Sequence, residues 1–361
     1  MAETRFASLT EACINEKLIE KAGQIIREGG LVAFPTETVY GLGGDALQRA
    51  SSRKIYAAKG RPSDNPLIVH ICRWEDIGKI AKKIPPEAEM LAKAFWPGPL
   101  TMILEKTDAV PAETTGGLST VAVRMPRNEI ALALIKAAGG YVAAPSANTS
   151  GKPSPTLAEH VREDLSGRID LILDGGAACI GLESTIVDLT EDRPMILRPG
   201  YITREMLQQV LGCPVDVDRL FTGREPEQAP KAPGMKYRHY APEGELTIVS
   251  GSEQDVTDTI CRLAEEKMRA GVRTGIICSK ETRQFYHADH IEVMGAKDDT
   301  EAAARQLYAA LRCFDSKEIA YIYSESFPGA GVGTAVMNRL LKAAGHRILA
   351  ADNIKNRREN T

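Results

Sequence analysis

The chain has 361 residues, 43% of them hydrophobic and 26% charged, and a formal net charge of −3. That length exceeds one ordinary domain, and two are expected. The mild acidity excludes a protein that grips nucleic acid by overall charge, although a local basic cleft is still allowed.

The opening MAETRFASLTEACINEK lacks an apolar core of signal-peptide length, and no later run approaches the length of a membrane span. A cytoplasmic protein with no membrane contact is therefore expected. The seven cysteines are scattered and never spaced as CxxC, which argues against a disulfide framework or a zinc site. HADH, His287 to His290, reads as a solvated loop, and no metal site is expected.

In chain order, NEKLIEKAGQIIREGG predicts a helix with Leu18, Ala22, Ile25 and Ile26 on one face, stopped at Gly29 and Gly30. The strand LVAF follows. PTETVYGLGG then reads as a loop whose glycines let backbone approach a ligand. A helix around SSRKIYAAKG, a strand NPLIVHI and a helix PEAEMLAKAFW come next. Strands LTMILEK and VAVRM precede a helix EIALALIKAAGG and the strand YVAAP. A helix TLAEHVREDL, strands LILDGG, STIVDL and MILRPG, and a helix TREMLQQVLG close this region. Alternating elements mixed with consecutive strands predict an α/β domain with a twisted mixed sheet.

Between 213 and 243 the periodicity lapses into a segment rich in proline and glycine, read as a linker. Its second half, PGMKYRHYAP, is unusually rich in aromatic and cationic groups, so it is expected to lie over a site. Alternation resumes with ELTIVS, a helix through CRLAEEKMRAG, TGIICS, AAARQLYAALRCF, IAYIYSE and AVMNRLLKAAG. That pattern predicts a smaller Rossmann-like α/β domain. The expected boundaries are 1–212, 213–243 and 244–361.

Four segments carry chemistry. In AAKGRPSDNPL, Lys59 and Arg61 stand at a helix end before a proline-bracketed turn. The helix dipole alone could explain cations there, yet the Gly-Pro break favours an anion site. In VRMPRN, Arg124 lies in an apolar strand and needs a carboxylate or phosphate, internal or from a ligand. APSANTSGKPSPT offers backbone N–H groups and hydroxyls, suited either to phosphate oxygens or to an ordinary turn. In the fourth, GLESTIVDL with LRPG, Ser184 and Thr185 open one strand and Arg198 closes another. No P-loop, GxSxG or CxxC is present. PGAGVGTAV mimics a dinucleotide fingerprint, but Thr334 occupies the third glycine position, and tight strand–helix packing explains it. Several cations in a mildly acidic chain suit a nucleoside triphosphate better than a long nucleic acid.

Together, FPTETVYGLG, AKGRPSDNPL, FWPGPLT, VAVRMP, APSAN, GLESTIVDL and LRPG occur in the order seen in the YrdC-like family. With PGMKYRHYAP and the small domain, the chain resembles that family's two-domain form, the threonylcarbamoyl-adenylate synthases. The family's KxR and SxN pairs are present as Lys59/Arg61 and Ser146/Asn148.

The resemblance implies a twisted sheet with a positively charged concave cleft. It implies a reaction of L-threonine, bicarbonate and ATP, with Mg²⁺, giving threonylcarbamoyl-adenylate and pyrophosphate. Partner proteins would then transfer the group to tRNA, with weak direct tRNA contact possible. Carried over by residue, threonine is expected at Thr38, His70, Arg124, the Ala144 backbone and Ser184. ATP is expected at Arg61, Asn65, Thr120, Ser146, Asn148, Ser154, Arg198 and Tyr237. Lys59 and Arg61 are the expected catalytic cations, Lys59 for bicarbonate or the developing carbamate. A non-catalytic RNA-binding module is the alternative, disfavoured by the scarcity of aromatic platforms. The carbamoyl-transferring relatives of hydrogenase maturation carry acylphosphatase and zinc-finger segments that this chain lacks.

Overall fold

The structure, a computed structural model, describes residues 3–12, 14–218 and 240–351. Most of the expected linker, including Lys236 and Tyr237, lies outside them. The chain divides into two compact units, residues 3–150 with 154–218, and residues 151–153 with 240–351.

The first unit is built on an eleven-stranded sheet. Its spatial order is β1 (Arg5–Ser8), β8 (Leu171–Asp174), β2 (Val32–Phe34), β3 (Gly41–Asp45), β7 (Val142–Ala143), β4 (Ile68–His70), β6 (Thr120–Arg124), β5 (Leu100–Glu105), β9 (Thr185–Asp188), β10 (Met195–Arg198) and β11 (Asp216–Val217). Parallel and antiparallel pairs alternate irregularly, so the sheet is mixed, as the pattern of elements predicts.

Two cores pack on opposite faces. On one, α2 (Arg49–Lys59), α4 (Pro86–Phe95), α6 (Ala158–Leu165) and α7 (Arg204–Leu211) cover Val69, Val121, Val123, Leu100 and Met102. On the other, α1 (Glu16–Arg27) and α5 (Glu129–Ala137) cover Val32, Phe34, Val142 and Leu171. These two helices reach only the β1–β8–β2–β3–β7 part of that face. Further along, the same face carries a small apolar cluster of Ile68, Ile103, Ala122, Ile186 and Leu197, all strand residues. Among the described residues, half of one sheet face is thus left without a helix over it, and the candidate site is there.

Helix α1 starts where Asn15 accepts a hydrogen bond from the Leu18 N–H at 3.2 Å. Its buried face is Ile19, Ala22, Gly23 and Ile26, turned by one position from the expected set. GLGGD is the larger surprise, because it is strand β3 and not a ligand loop. A Cβ at Gly43 would meet Phe34 Cε1 and Val142 Cγ1, each at 2.9 Å. These glycines make room for neighbouring side chains within the sheet, which corrects the expectation that they open backbone to a ligand.

The second unit is a five-stranded sheet, parallel throughout, in the order β14 (His290–Val293), β13 (Thr274–Cys278), β15 (Tyr321–Glu325), β12 (Glu245–Ser250) and β16 (Ile348–Ala350). Helices α8 (Glu253–Arg269), α9 (Thr300–Ser316) and α10 (Val332–Ala343) connect its strands. After β15, a Cβ at Gly333 would lie 1.9 Å from the Pro328 carbonyl oxygen. Gly333 is not a fingerprint position, however: a Cβ at Gly329 or Gly331 would meet nothing within 4 Å, and Gly331 has φ 56°, so the apparent dinucleotide fingerprint reflects a left-handed turn before α10 and not the tight packing expected. Residues 287–289 of HADH form a loop with His287 and Asp289 exposed, as expected, while His290 opens strand β14 and is half-buried.

Gly43→Ala should destabilise the first unit by about 1–3 kcal/mol through overpacking against Phe34 and Val142. Urea denaturation of the full chain would measure this, and an unchanged midpoint would contradict the packing role.

Candidate functional site

Strand alternation writes the site onto the uncovered half-face. In β6, Val121 and Val123 point into the helix-covered core, which turns Thr120, Ala122 and Arg124 to the other side. In β4, Val69 is in that core and Ile68 and His70 face the site. The register pairs Ile68 with Ala122 and His70 with Arg124. His70 and Arg124 thus lie side by side at one end of the pair. Asn65 and Thr120 mark its other end, about 13 Å away for four residues of strand.

Arg124 is 4% exposed, and its Nη2 lies 2.7 Å from Glu37 Oε2, a carboxylate that is itself 3% exposed. Yet both Glu37 oxygens and Arg124 Nη2 have no aligned hydrogen-bond partner. The short separation without donor alignment makes the contact Coulombic, and the guanidinium retains unspent donor capacity at Nη2. Its Nε donates to the Gly98 carbonyl at 3.3 Å, supplied by the WPGP segment. The internal counter-charge allowed for from the sequence is therefore Glu37, a residue not placed in the site beforehand.

Glu37 is held by a turn built from hydroxyls. Thr36 Oγ1 donates to the Val39 carbonyl at 2.5 Å and accepts from the N–H groups of Thr38 and Val39. Its single proton being spent, the 2.9 Å contact with Thr38 Oγ1 must be donated by Thr38. Backbone bonds from Ile180 and Gly181 to the carbonyls of Glu37 and Thr38 clamp the turn.

His70 is fully buried, with Nδ1 3.2 Å from the Ile68 carbonyl and its ring edge-on to Phe34. Burial first, then the Arg124 charge, pushes its pKa down to about 3, while carbonyls of Ile68 and Val142 pull the other way. The ring is neutral throughout the physiological range. The Ala144 N–H is given to the Ile68 carbonyl at 2.9 Å.

On the far side of β6, Ser184 precedes β9 and Arg198 ends β10. Ser184 Oγ lies 2.7 Å from Thr101 Oγ1. Arg198, 5% exposed, donates from Nε to the Ser184 carbonyl at 3.1 Å and from Nη2 to Ser184 Oγ at 3.2 Å. Met102 pairs with Val123, so Thr101 adjoins Arg124. Arg124, Thr101, Ser184 and Arg198 thus form a continuous polar row.

Helix α2 ends on Gly60 in the left-handed conformation, φ 61°, which turns Lys59 and Arg61 to separate tasks. Lys59, 1% exposed, donates from Nζ to the carbonyls of Ser146, at 2.5 Å, and Asn148, and reaches Asn148 Oδ1 at 3.3 Å. Ser146 Oγ donates to Asn148 Oδ1 at 2.6 Å. Lys59 of the KxR pair and both members of the SxN pair are thus one hydrogen-bonded assembly. Arg61 donates to the carbonyls of Asn65 at 3.2 Å and Pro66 at 3.1 Å, ahead of β4. Asn65 Oδ1 is buried with no partner, an acceptor waiting for a donor. Ser154 donates to Glu183 Oε1 at 2.6 Å. Thr120 is half-buried at the start of β6.

Comparison with known proteins fits this arrangement. The family described as "Telomere recombination" matches residues 24–200, and "Threonylcarbamoyl-AMP synthase, C-terminal domain" matches residues 202–345. The threonylcarbamoyl-AMP synthase of Pyrococcus abyssi is 50% identical over 336 residues, covering 93% of this chain and 96% of its own. The chain belongs to the two-domain YrdC-like family of threonylcarbamoyl-AMP synthases. The Bacillus subtilis member is 48% identical over 340 residues, with 94% and 96% covered. Among solved members, the crystal structure of P. abyssi Sua5 complexed with L-threonine superposes with a TM-score of 0.91 at 49% identity, covering 96% of this chain and 99% of that one. No helix among the described residues is long and apolar enough to cross a membrane.

Two measurements test these electrostatics. Glu37→Ala, which strands the Arg124 charge, should cost about 3–5 kcal/mol of stability by denaturant titration. A loss below about 1 kcal/mol on the same titration would mean that Arg124 is solvated in some other way. In histidine-labelled protein, the His70 ring should not titrate between about pH 5 and 8, because its folded pKa lies far below the unfolded value near 6.5. Its contribution to stability is complete above that unfolded value and is lost as pH falls toward 3, since only the unfolded chain takes the proton. A His70 midpoint near 6.5 by NMR would refute its burial as a neutral ring.

Proposed function

We propose that the chain is a threonylcarbamoyl-AMP synthase, joining L-threonine, bicarbonate and ATP to give L-threonylcarbamoyladenylate and pyrophosphate, and so a nucleotidyl-transferring enzyme. One observation carries this reading: a buried guanidinium paired with Glu37 by charge, its Nη2 without an aligned acceptor, beside His70 at the end of a sheet face. An amino-acid carboxylate offers Arg124 the bidentate, charge-assisted bonds it lacks. The solved relative complexed with L-threonine supports the same assignment.

In this reading threonine's carboxylate meets Arg124, and Thr38 and Ser184 orient the hydroxyl and amine. His70 contributes as a neutral group, neither adding charge beside the amine nor withdrawing its proton at neutral pH. Threonine's uncharged amine attacks the carboxyl carbon derived from bicarbonate, and a carbamate forms with loss of water. The carbamate oxygen then attacks the α-phosphorus, and pyrophosphate leaves. No protein nucleophile is needed, so positioning and charge stabilisation carry the rate.

Arg61, Asn65, Thr120, Ser146, Asn148, Ser154 and Arg198 are assigned to ATP, with cations arranged to make the cleft electropositive. Tyr237 lies outside the described residues. Lys59 spends its ammonium hydrogens on the Ser146–Asn148 loop. We therefore assign it first to holding that loop in shape, and only its charge to the phosphates and carbamate. Mg²⁺ would accompany the triphosphate and neutralise the departing pyrophosphate. The site carboxylates Glu37 and Glu183 are engaged by Arg124 and Ser154, so the chain's part is to bind phosphate oxygens and not to cage the ion. Downstream proteins would pass the threonylcarbamoyl group to tRNA. The family membership favours this catalytic reading over an RNA-binding module.

Pyrophosphate release should require threonine, bicarbonate and ATP together. Arg124→Lys, which keeps the charge and loses the planar fork, should lower kcat/KM for threonine by at least about a hundredfold. Release that continues without threonine, or full activity in the Arg124→Lys variant, would sink the assignment.

A further inference from the structure

His290 and Glu292 are two residues apart on β14, so their side chains share one face of that strand. The strand is at the edge of the five-stranded sheet. Near the end of α9, Cys313 brings its sulfur to the same point. His290 Nε2 is 2.6 Å from Glu292 Oε1, and Cys313 Sγ is 3.4 Å from His290 Nε2. All three donor atoms lie within 4.8 Å of one another, and all three residues are half-buried. The His290 ring is further fixed edge-on against Phe314, with centroids 5.7 Å apart.

We propose that His290, Glu292 and Cys313 form a binding site for one divalent transition-metal ion of zinc-like character. Bond lengths of about 2.3 Å to sulfur and 2.0–2.1 Å to nitrogen put tetrahedral S and N ligands about 3.5 Å apart. The observed Sγ–Nε2 separation already matches. The equivalent N–O edge is about 3.3 Å, so the His290–Glu292 hydrogen bond must open by about 0.7 Å as the ion enters. Imidazole, carboxylate and thiolate together select zinc, cobalt or nickel over magnesium and calcium. Binding forms Sγ–, Nε2– and Glu292 Oε1–metal bonds; the thiol proton goes to solvent, and the neutral imidazole keeps its single N–H at Nδ1. Three protein ligands leave a fourth position for water.

Such an ion would join the edge strand to a helix within the smaller unit, using none of the residues assigned to threonine and ATP. HADH has the histidine but not its partners, because Glu292 lies beyond it and Cys313 comes from the next helix.

The test uses the full-length chain without an affinity tag, stripped by chelator, reduced, and titrated anaerobically with Co²⁺. One equivalent should bind with a near-ultraviolet thiolate-to-cobalt band that Zn²⁺ erases. Cys313→Ser and His290→Gln should each weaken binding at least about a hundredfold, above the cost of an outer-shell change. Zn²⁺ should raise the thermal midpoint of the unsubstituted protein and leave that of Cys313→Ser unmoved. Circular dichroism of the metal-free proteins establishes that each variant is folded. The absence of stoichiometric binding would overturn the proposal and leave an ordinary histidine–carboxylate hydrogen bond. A band that survives in both variants would overturn it as well.

Discussion

A guanidinium buried between strands is the constraint around which the first unit is arranged. Arg124 sits at 4% exposure in a strand whose other residues are largely apolar. Burying that charge would be prohibitive without a counter-ion. Glu37 supplies one across four strand boundaries, and the hydroxyl turn at Thr36 holds Glu37 there. Because the pair is close yet poorly aligned, it compensates charge without exhausting the guanidinium's donors. A structural ion pair would be expected to use them. In the proposed reading, that remaining capacity is what the carboxylate of the amino-acid substrate takes up.

The sheet's mixed topology distributes the remaining polar groups. Had β4 and β6 been antiparallel, His70 would lie beside the start of β6 and not beside Arg124. The parallel register puts imidazole and guanidinium together, and this proximity adds to burial in keeping the ring neutral. Across β5 and β9, a serine hydroxyl relays between Thr101 and Arg198. The SxN loop is organised differently, through a buried lysine that satisfies three oxygen acceptors at once. Cations thus act in two ways here: Arg124 holds capacity in reserve, while Lys59 has committed its own to architecture.

Much of this was legible in the sequence, and the failures have physical causes. The alternation of helix and strand periods gave the two α/β units and the parallel character of the second. An arginine in an apolar strand announced that a partner was needed. Its identity was not legible, because Glu37 reaches Arg124 only through the pairing order of β2, β3, β7, β4 and β6. GLGGD hid its strand because three glycines carry no alternation to read. The neighbours of His290 were hidden in part, because Glu292 is two residues along its own strand but Cys313 comes from a following helix. The KxR and SxN motifs are separate in the sequence, and only the fold joins them, through Lys59 gripping the carbonyls of Ser146 and Asn148.

The glycines of β3 set a condition on how this sheet can vary. The space they vacate is occupied by Phe34 on one side and Val142 on the other. Bulk at Phe34 and its absence at Gly43 are two halves of one volume, divided between adjacent strands. Neither position is free to drift alone. A lineage that enlarged the glycine would have to trim the aromatic ring in compensation, and that ring also braces His70. Steric exchange in the middle of the sheet is in this way tied to the placement of a group at the binding face.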